Sequence, residues 1–107
     1  GEQDEVQEAV EVDIRGYVRD WERISEAYRN LQHYTCEECG WTPNSPMQRR
    51  FIHVHHIDGN KLNNNEANLK CLCVHCHANV DEHHMHNFSQ GYNQSQLQEF
   101  ETNYYNR

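Results

Sequence analysis

The chain has 107 residues, 36% of them hydrophobic and 24% charged, with a formal net charge of −8. That length gives room for one domain whose apolar core is too small to hold it unaided. It contains no run of about 18 apolar residues to span a membrane, and its charge sign argues against a strongly basic nucleic-acid binder.

The acidity is uneven. Residues 1–26 carry nine acids against three arginines, residues 27–80 four acids against five bases, and residues 81–107 four acids against one base. The middle is close to neutral and open to a phosphate partner. Residues 1–14, with Glu2, Asp4, Glu5, Glu8 and Glu11, read as an acidic, linker-like segment. From Arg15 the apolar positions Val18, Trp21, Ile24, Ala27 or Tyr28, and Leu31 recur every three or four residues, which predicts an amphipathic helix over 15–32. Tyr34 to Trp41 then reads as a tight knuckle whose Gly40 tolerates positive φ, and Thr42 to Met47, with two prolines, as a loop.

Phe51-Ile52-His53-Val54-His55-His56-Ile57 is β-branched and aromatic, a strand ended by the turn Asp58-Gly59-Asn60. The Asn-rich stretch to Asn68 is a loop in which Glu66 to Leu69 has room for one helical turn. Leu69 to Cys73 is a second strand, and Cys76 to His86 is expected to be one helix. After Gly91 a last helix is expected over 95–105, with Leu97, Phe100 and Tyr104 on one face. The expected class is α+β, a strand pair and helix with flanking helices, and residues 15–107 form the folded part.

Five cysteines include two C-x-x-C pairs, Cys36/Cys39 and Cys73/Cys76, with 33 residues between them. Four thiolates on two local turns are the ligand set of a closed tetrahedral zinc site. Metal binding then contributes to folding directly, by roughly 10–16 kcal/mol in zinc peptides. A bare zinc ribbon leaves about 15–20 residues between its pairs, so this insertion is long. Cys71, the odd thiol, is expected to be a buried strand residue. Metal-type cysteine spacing and the absence of a recognisable secretory signal make a reducing cytoplasm the expected compartment.

Within the insertion lie adjacent His55 and His56 at a strand end, Asn68 before the second strand, and His77 directly after the last zinc cysteine. Neighbours on a strand point to opposite faces, so one histidine can hold a metal while the other takes a proton from water. His77 can approach the first across the hairpin. Cys36-Glu-Glu-Cys39, Val54-His55-His56-Ile57-Asp58-Gly59 and Asn68-Leu69-Lys70-Cys71-Leu72-Cys73-Val74-His75-Cys76-His77 together resemble the HNH endonuclease family in its zinc-containing form. The resemblance covers roughly residues 33–80, within a motif core expected over 33–86, and the flanks lie outside it.

The resemblance implies a ββα-metal finger (His-Me finger) and a phosphodiester hydrolase that acts on DNA. It implies that His56 is the general base and that His55 and His77 ligate a catalytic divalent ion (Mg2+, Mn2+, Ni2+ or Zn2+). Asn68 would restrain the loop that orients His56. His83, six residues after His77, is a candidate third ligand. His53 shares a strand face with His55 and is a candidate neighbour of that site, whereas His84, His86, His33 and His75 are assigned to surface or packing. Arg49, Arg50, Lys61 and Lys70 are the candidate phosphate contacts, and Trp41 is expected over the zinc knuckle. Two other readings stay open: a noncatalytic zinc module for DNA or protein recognition, and a nuclease domain of a larger defence, phage or mobile-element protein.

Overall fold

An antiparallel pair of short strands lies at the centre of the molecule, and each strand carries a residue of one of two candidate metal centres, His55 on the first and Cys73 on the second. The computed structural model describes residues 12–105; most of the expected acidic segment therefore lies outside the described residues. The order is α1 (Trp21–Leu31), a 3-10 turn (Pro46–Phe51), β1 (Ile52–His56), a second 3-10 turn (Glu66–Asn68), β2 (Leu69–Cys73), α2 (Val74–Ala78), α3 (Glu82–Asn87) and α4 (Gly91–Asn103). This is a small α+β fold with a β-β-α heart, as the composition and motif order led one to expect.

α1 begins at Trp21, not at Arg15. The reason is local: Asp13 accepts hydrogen bonds from the amides of Arg15 and Tyr17, and Gly16 adopts φ +90. Such a side-chain-capped turn competes with helix, and it leaves Val18 bridged to Val12 in extended backbone. At the other end of α1, His33 and Tyr34 both take positive φ. These two left-handed residues aim the chain into the first knuckle, where Gly40 donates its amide to the Cys36 carbonyl at 2.9 Å.

β1 and β2 pair with Ile52 opposite Cys73, Val54 opposite Cys71 and His56 opposite Leu69. Ile52, Val54 and His56 are buried, and His53 and His55 alternate with them at intermediate exposure, the period-2 pattern of a strand with two different faces. Trp21 and Tyr28 of α1 join these residues in the core, as do Phe51 and Phe100. The tie from α1 to the hairpin is polar: Tyr28 donates its hydroxyl to Glu37 and to the Leu69 carbonyl, and Glu37 also accepts the Cys71 amide. Trp41 packs edge-on against Phe100, with ring centroids 4.8 Å apart, and donates its indole N–H to the Tyr104 carbonyl.

The expected helix from Cys76 to His86 is two helices. Asn79 closes α2 by donating its side-chain amide to the His75 carbonyl, and Asp81 opens α3 by accepting the His84 amide. An N-cap residue in extended conformation forces a new helix axis. α4 starts at Gly91, earlier than expected. Among the described residues, no helix is long and apolar enough to cross a membrane.

Candidate functional site

Two clusters of metal-ligating side chains stand out. In the first, one ligand atom each from Cys36, Cys39, Cys73 and Cys76 lies within 4.8 Å of all the others. Each C-x-x-C turn folds back so that the amides of Cys39 and Cys76 point at the sulfurs of Cys36 and Cys73, both at 3.5 Å. The Cys39 and Cys73 sulfurs are 3.7 Å apart, and a tetrahedron with Zn–S bonds of about 2.3 Å has edges of about 3.8 Å. The donor set, spacing and N–H···S bonds fit a structural zinc. Hydrogen bonding from the Cys73 thiol and from nearby amides holds Cys36 down to about 4, whereas that same contact and burial push Cys73 up. Four thiols this close cannot all ionise without a cation between them. Cys71 stands apart: it is fully buried and burial raises its thiol to about 12, so it is a packing residue.

The second cluster is imidazole. Ligand atoms of His55, His77 and His84 lie within 4.8 Å of one another. β1 supplies His55, α2 supplies His77 one residue after the last zinc cysteine, and α3 supplies His84. The ring centroids are 5.3 Å apart for His55–His77, 5.1 Å for His55–His84 and 5.0 Å for His77–His84. Burial holds His55 and His77 below the ordinary imidazole range, with neighbouring rings adding to the shift. Their lone pairs are therefore free of protons at neutral pH, as a metal requires. Oδ1 of Asp81 accepts a hydrogen bond from Nδ1–H of His84 at 2.7 Å, which leaves Nε2 for an ion. Three neutral imidazoles suit a divalent transition ion and leave further coordination positions open.

His84, assigned from the sequence to surface or packing, occupies the position considered for His83. Because α3 restarts at Asp81, the residue on the inner side is the third of the new helix. His83 Nε2 instead meets the side-chain amide of Asn87 at 3.3 Å.

His56, adjacent to His55, points to the opposite side of β1 and is only 5% exposed. Its ring lies under Trp21 at 4.7 Å between centroids, and Tyr17 stacks on Trp21 at 4.9 Å. Its Nε2 is 2.7 Å from Oδ1 of Asn64. Asn68 bridges the loop: its Oδ1 accepts the Asp58 amide at 3.0 Å, and its Nδ2 donates to Asp58 Oδ1 and the Asn63 carbonyl, both at 2.9 Å. Asn68 thus ties the end of β1 to the strand of chain that carries Asn64.

His55, His56 and His77 share a cleft of about 780 Å³ with Arg49, Arg50 and Lys61. Lys70 lines a different pocket and pairs with Glu38 at 2.9 Å. Arg50 pairs with Glu99 at 2.8 Å, Arg49 lies over the Tyr34 ring, and Lys61 donates to the Arg15 carbonyl. Sequence reasoning missed Asn64, Asp81, His84 and Gln96; Asp81, an Asp before a helix, and His84, seven residues after His77 and so on its face at helical spacing, carried a recognisable signal.

Comparison with known proteins gives one clear similarity. A stretch of 68 residues, 64% of the chain, is 38% identical to Zorya protein ZorE of Escherichia coli. That stretch represents 18% of the relative, so the chain spans less than a fifth of its length. No family model and no solved structure matches the chain.

Proposed function

We propose that this chain is a metal-dependent nuclease domain of the HNH type that hydrolyses phosphodiester bonds, with DNA as substrate. The observation that carries the reading is the convergence of His55, His77 and His84 on one point, beside a fourth imidazole, His56, at the next position of the same strand. His55, His77 and His84 would hold one divalent ion; when bound, that ion supplies Lewis acidity to the phosphate and steadies charge on the departing 3′ oxygen. The rest falls to the chain. Oδ1 of Asn64 accepts a hydrogen bond from Nε2–H of His56, so His56 keeps its lone pair at Nδ1, the nitrogen that takes the proton from the attacking water. Asn68 and Asp58 hold the loop on which Asn64 sits. Arg49, Arg50 and Lys61, on the walls of the same cleft, are suited to orient phosphates; Lys70 is not in that cleft and contributes less.

The similarity to a much longer relative supports reading this domain as the nuclease part of a larger protein, as found in defence or mobile-element proteins. A second reading, a noncatalytic zinc module, is favoured by the pairing of Arg50 and Lys70 with carboxylates and by the net charge of −8. Supercoiled plasmid incubated with the protein and Mg2+, Mn2+ or Ni2+ separates the two. Nicking that is lost in His56→Ala supports the nuclease. No nicking with any of these ions, in protein that carries its zinc, favours the noncatalytic module.

A further inference from the structure

His77 is not held by a carboxylate, as His84 is, but by a second histidine. Its Nδ1 lies 2.9 Å from Nδ1 of His53, and the other nitrogen of His53, Nε2, lies 3.1 Å from Oε1 of Gln96. Gln96 is 6% exposed, and its amide orientation is fixed from the far side, where Nε2 donates to the Arg50 carbonyl at 3.3 Å. A carbonyl accepts hydrogen only through lone pairs, so Oε1 of Gln96 cannot give His53 a proton. His53 must therefore donate through Nε2–H. A neutral imidazole has one N–H, which leaves Nδ1 of His53 as a bare acceptor. Two facing nitrogens at 2.9 Å make a hydrogen bond only if one of them carries the hydrogen, so His77 donates Nδ1–H and keeps its lone pair at Nε2.

We propose that the Arg50 carbonyl, Gln96 and His53 form a relay that fixes His77 in its Nδ1–H tautomer, making Gln96 and His53 positioning residues for the imidazole metal centre. The relay rests on the reading of His55, His77 and His84 as that centre; it gives His53, which shares a strand face with His55, a defined role, and it adds Gln96 of α4, which no ligand spacing points to. It also explains why Gln96, a long polar side chain, is buried on a helix otherwise packed through Phe100. The tautomer that a ligating histidine needs is set here by a chain of neutral groups, whereas Asp81 sets it for His84.

Long-range 1H–15N correlation on the full chain, with zinc at the thiols and no ion added to the imidazoles, reads the tautomers directly. The expected result is a protonated Nδ1 and a bare Nε2 on His77, with the reverse on His53. A proton on His77 Nε2, or an averaged mixture of tautomers, overturns the relay. Gln96→Met removes the acceptor facing His53, and is expected to mix the tautomers and weaken Ni2+ binding by about 10- to 100-fold, the scale for a lost partner behind a metal-bound histidine. If Gln96→Met lowers only thermal stability, with tautomers and Ni2+ affinity unchanged, Gln96 is structural and the proposal fails. Expected tautomers in a chain that binds no Ni2+ would uphold the relay and overturn the metal-centre reading, so the two failures are distinct.

Discussion

Oδ1 of Asn64 lies 2.7 Å from Nε2 of His56, and that contact sets which nitrogen of a buried ring is left to accept a proton. It is made by a residue in the middle of an asparagine-rich loop. The loop is therefore a support for His56, closed by Asn68 against Asp58. His56→Ala is expected to lower plasmid nicking by about 10²- to 10⁴-fold, the usual contribution of a general base. Asn64→Ala should lower it by up to about 10²-fold, the cost of a small misplacement at a reacting centre. Both variants should retain full metal content by elemental analysis, which separates loss of the base from loss of the ion.

Hydrogen bonds from the Asn60 amide and from the side chains of Asn63 and Asn68 hold the Asp58 carboxyl below the usual carboxylate range. A carboxyl depressed in the folded state stabilises at pH values above its unfolded pKa, about 3.9, and that stabilisation is lost as pH falls through the folded value. The loop is expected to stay closed at pH 5 and to loosen only below about pH 4, as read from amide exchange at Asn60 and Asn63. Asp58→Asn should remove this acid dependence while the thiol zinc stays bound. Loosening of the unaltered loop between pH 5 and 6 would contradict the assignment.

His84 and His83 are neighbours in sequence with opposite expected behaviour. His84→Ala removes one of three converging ligands and should weaken Ni2+ or Zn2+ binding at the imidazoles by at least about 10-fold. His83→Ala should leave the affinity within about twofold, since replacement of a side chain that supplies no ligand atom is close to neutral. Isothermal titration of the two variants, each loaded with zinc at the thiols, measures the difference.

Cys71 and Cys36 offer a parallel contrast in the thiol cluster. Cys36→Ser is expected to lose the zinc and with it cooperative folding, because the ion joins the end of α1 to α2 and contributes on the order of 10 kcal/mol in small zinc domains. Cys71→Ala should keep one thiol-bound zinc and fold with a modest loss of stability. In the unaltered protein, Cys71 should resist alkylation at pH 8, because burial raises its thiol to about 12 and only the thiolate reacts.

The parts of the molecule written in local chemistry were legible before the structure was considered. The two C-x-x-C turns meet where their spacing suggested, and the His55–His56 alternation follows from the strand period. His84 did carry a signal, since it lies seven residues after His77 and helical spacing puts those two on one face, yet His83, six residues on and off that step, was weighed in its place; the break at Asn79 and Asp81 was the part that spacing does not register. Gln96 and Asn64 escaped for a different reason. Each acts through one hydrogen bond to a ring more than five residues away, and nothing in composition or period marks such a residue. The expected helix over 15–32 was shortened by the turn at Asp13 and Gly16, a competition that apolar spacing alone does not register.

Anomalous scattering from crystals grown with zinc and soaked in Ni2+ tests the central claim most directly, since the two ions are distinguished at their absorption edges. The expected map has a zinc peak enclosed by Cys36, Cys39, Cys73 and Cys76 and a nickel peak bound by His55, His77 and His84. A map with the zinc peak alone, or with nickel bound elsewhere on the surface, would contradict it.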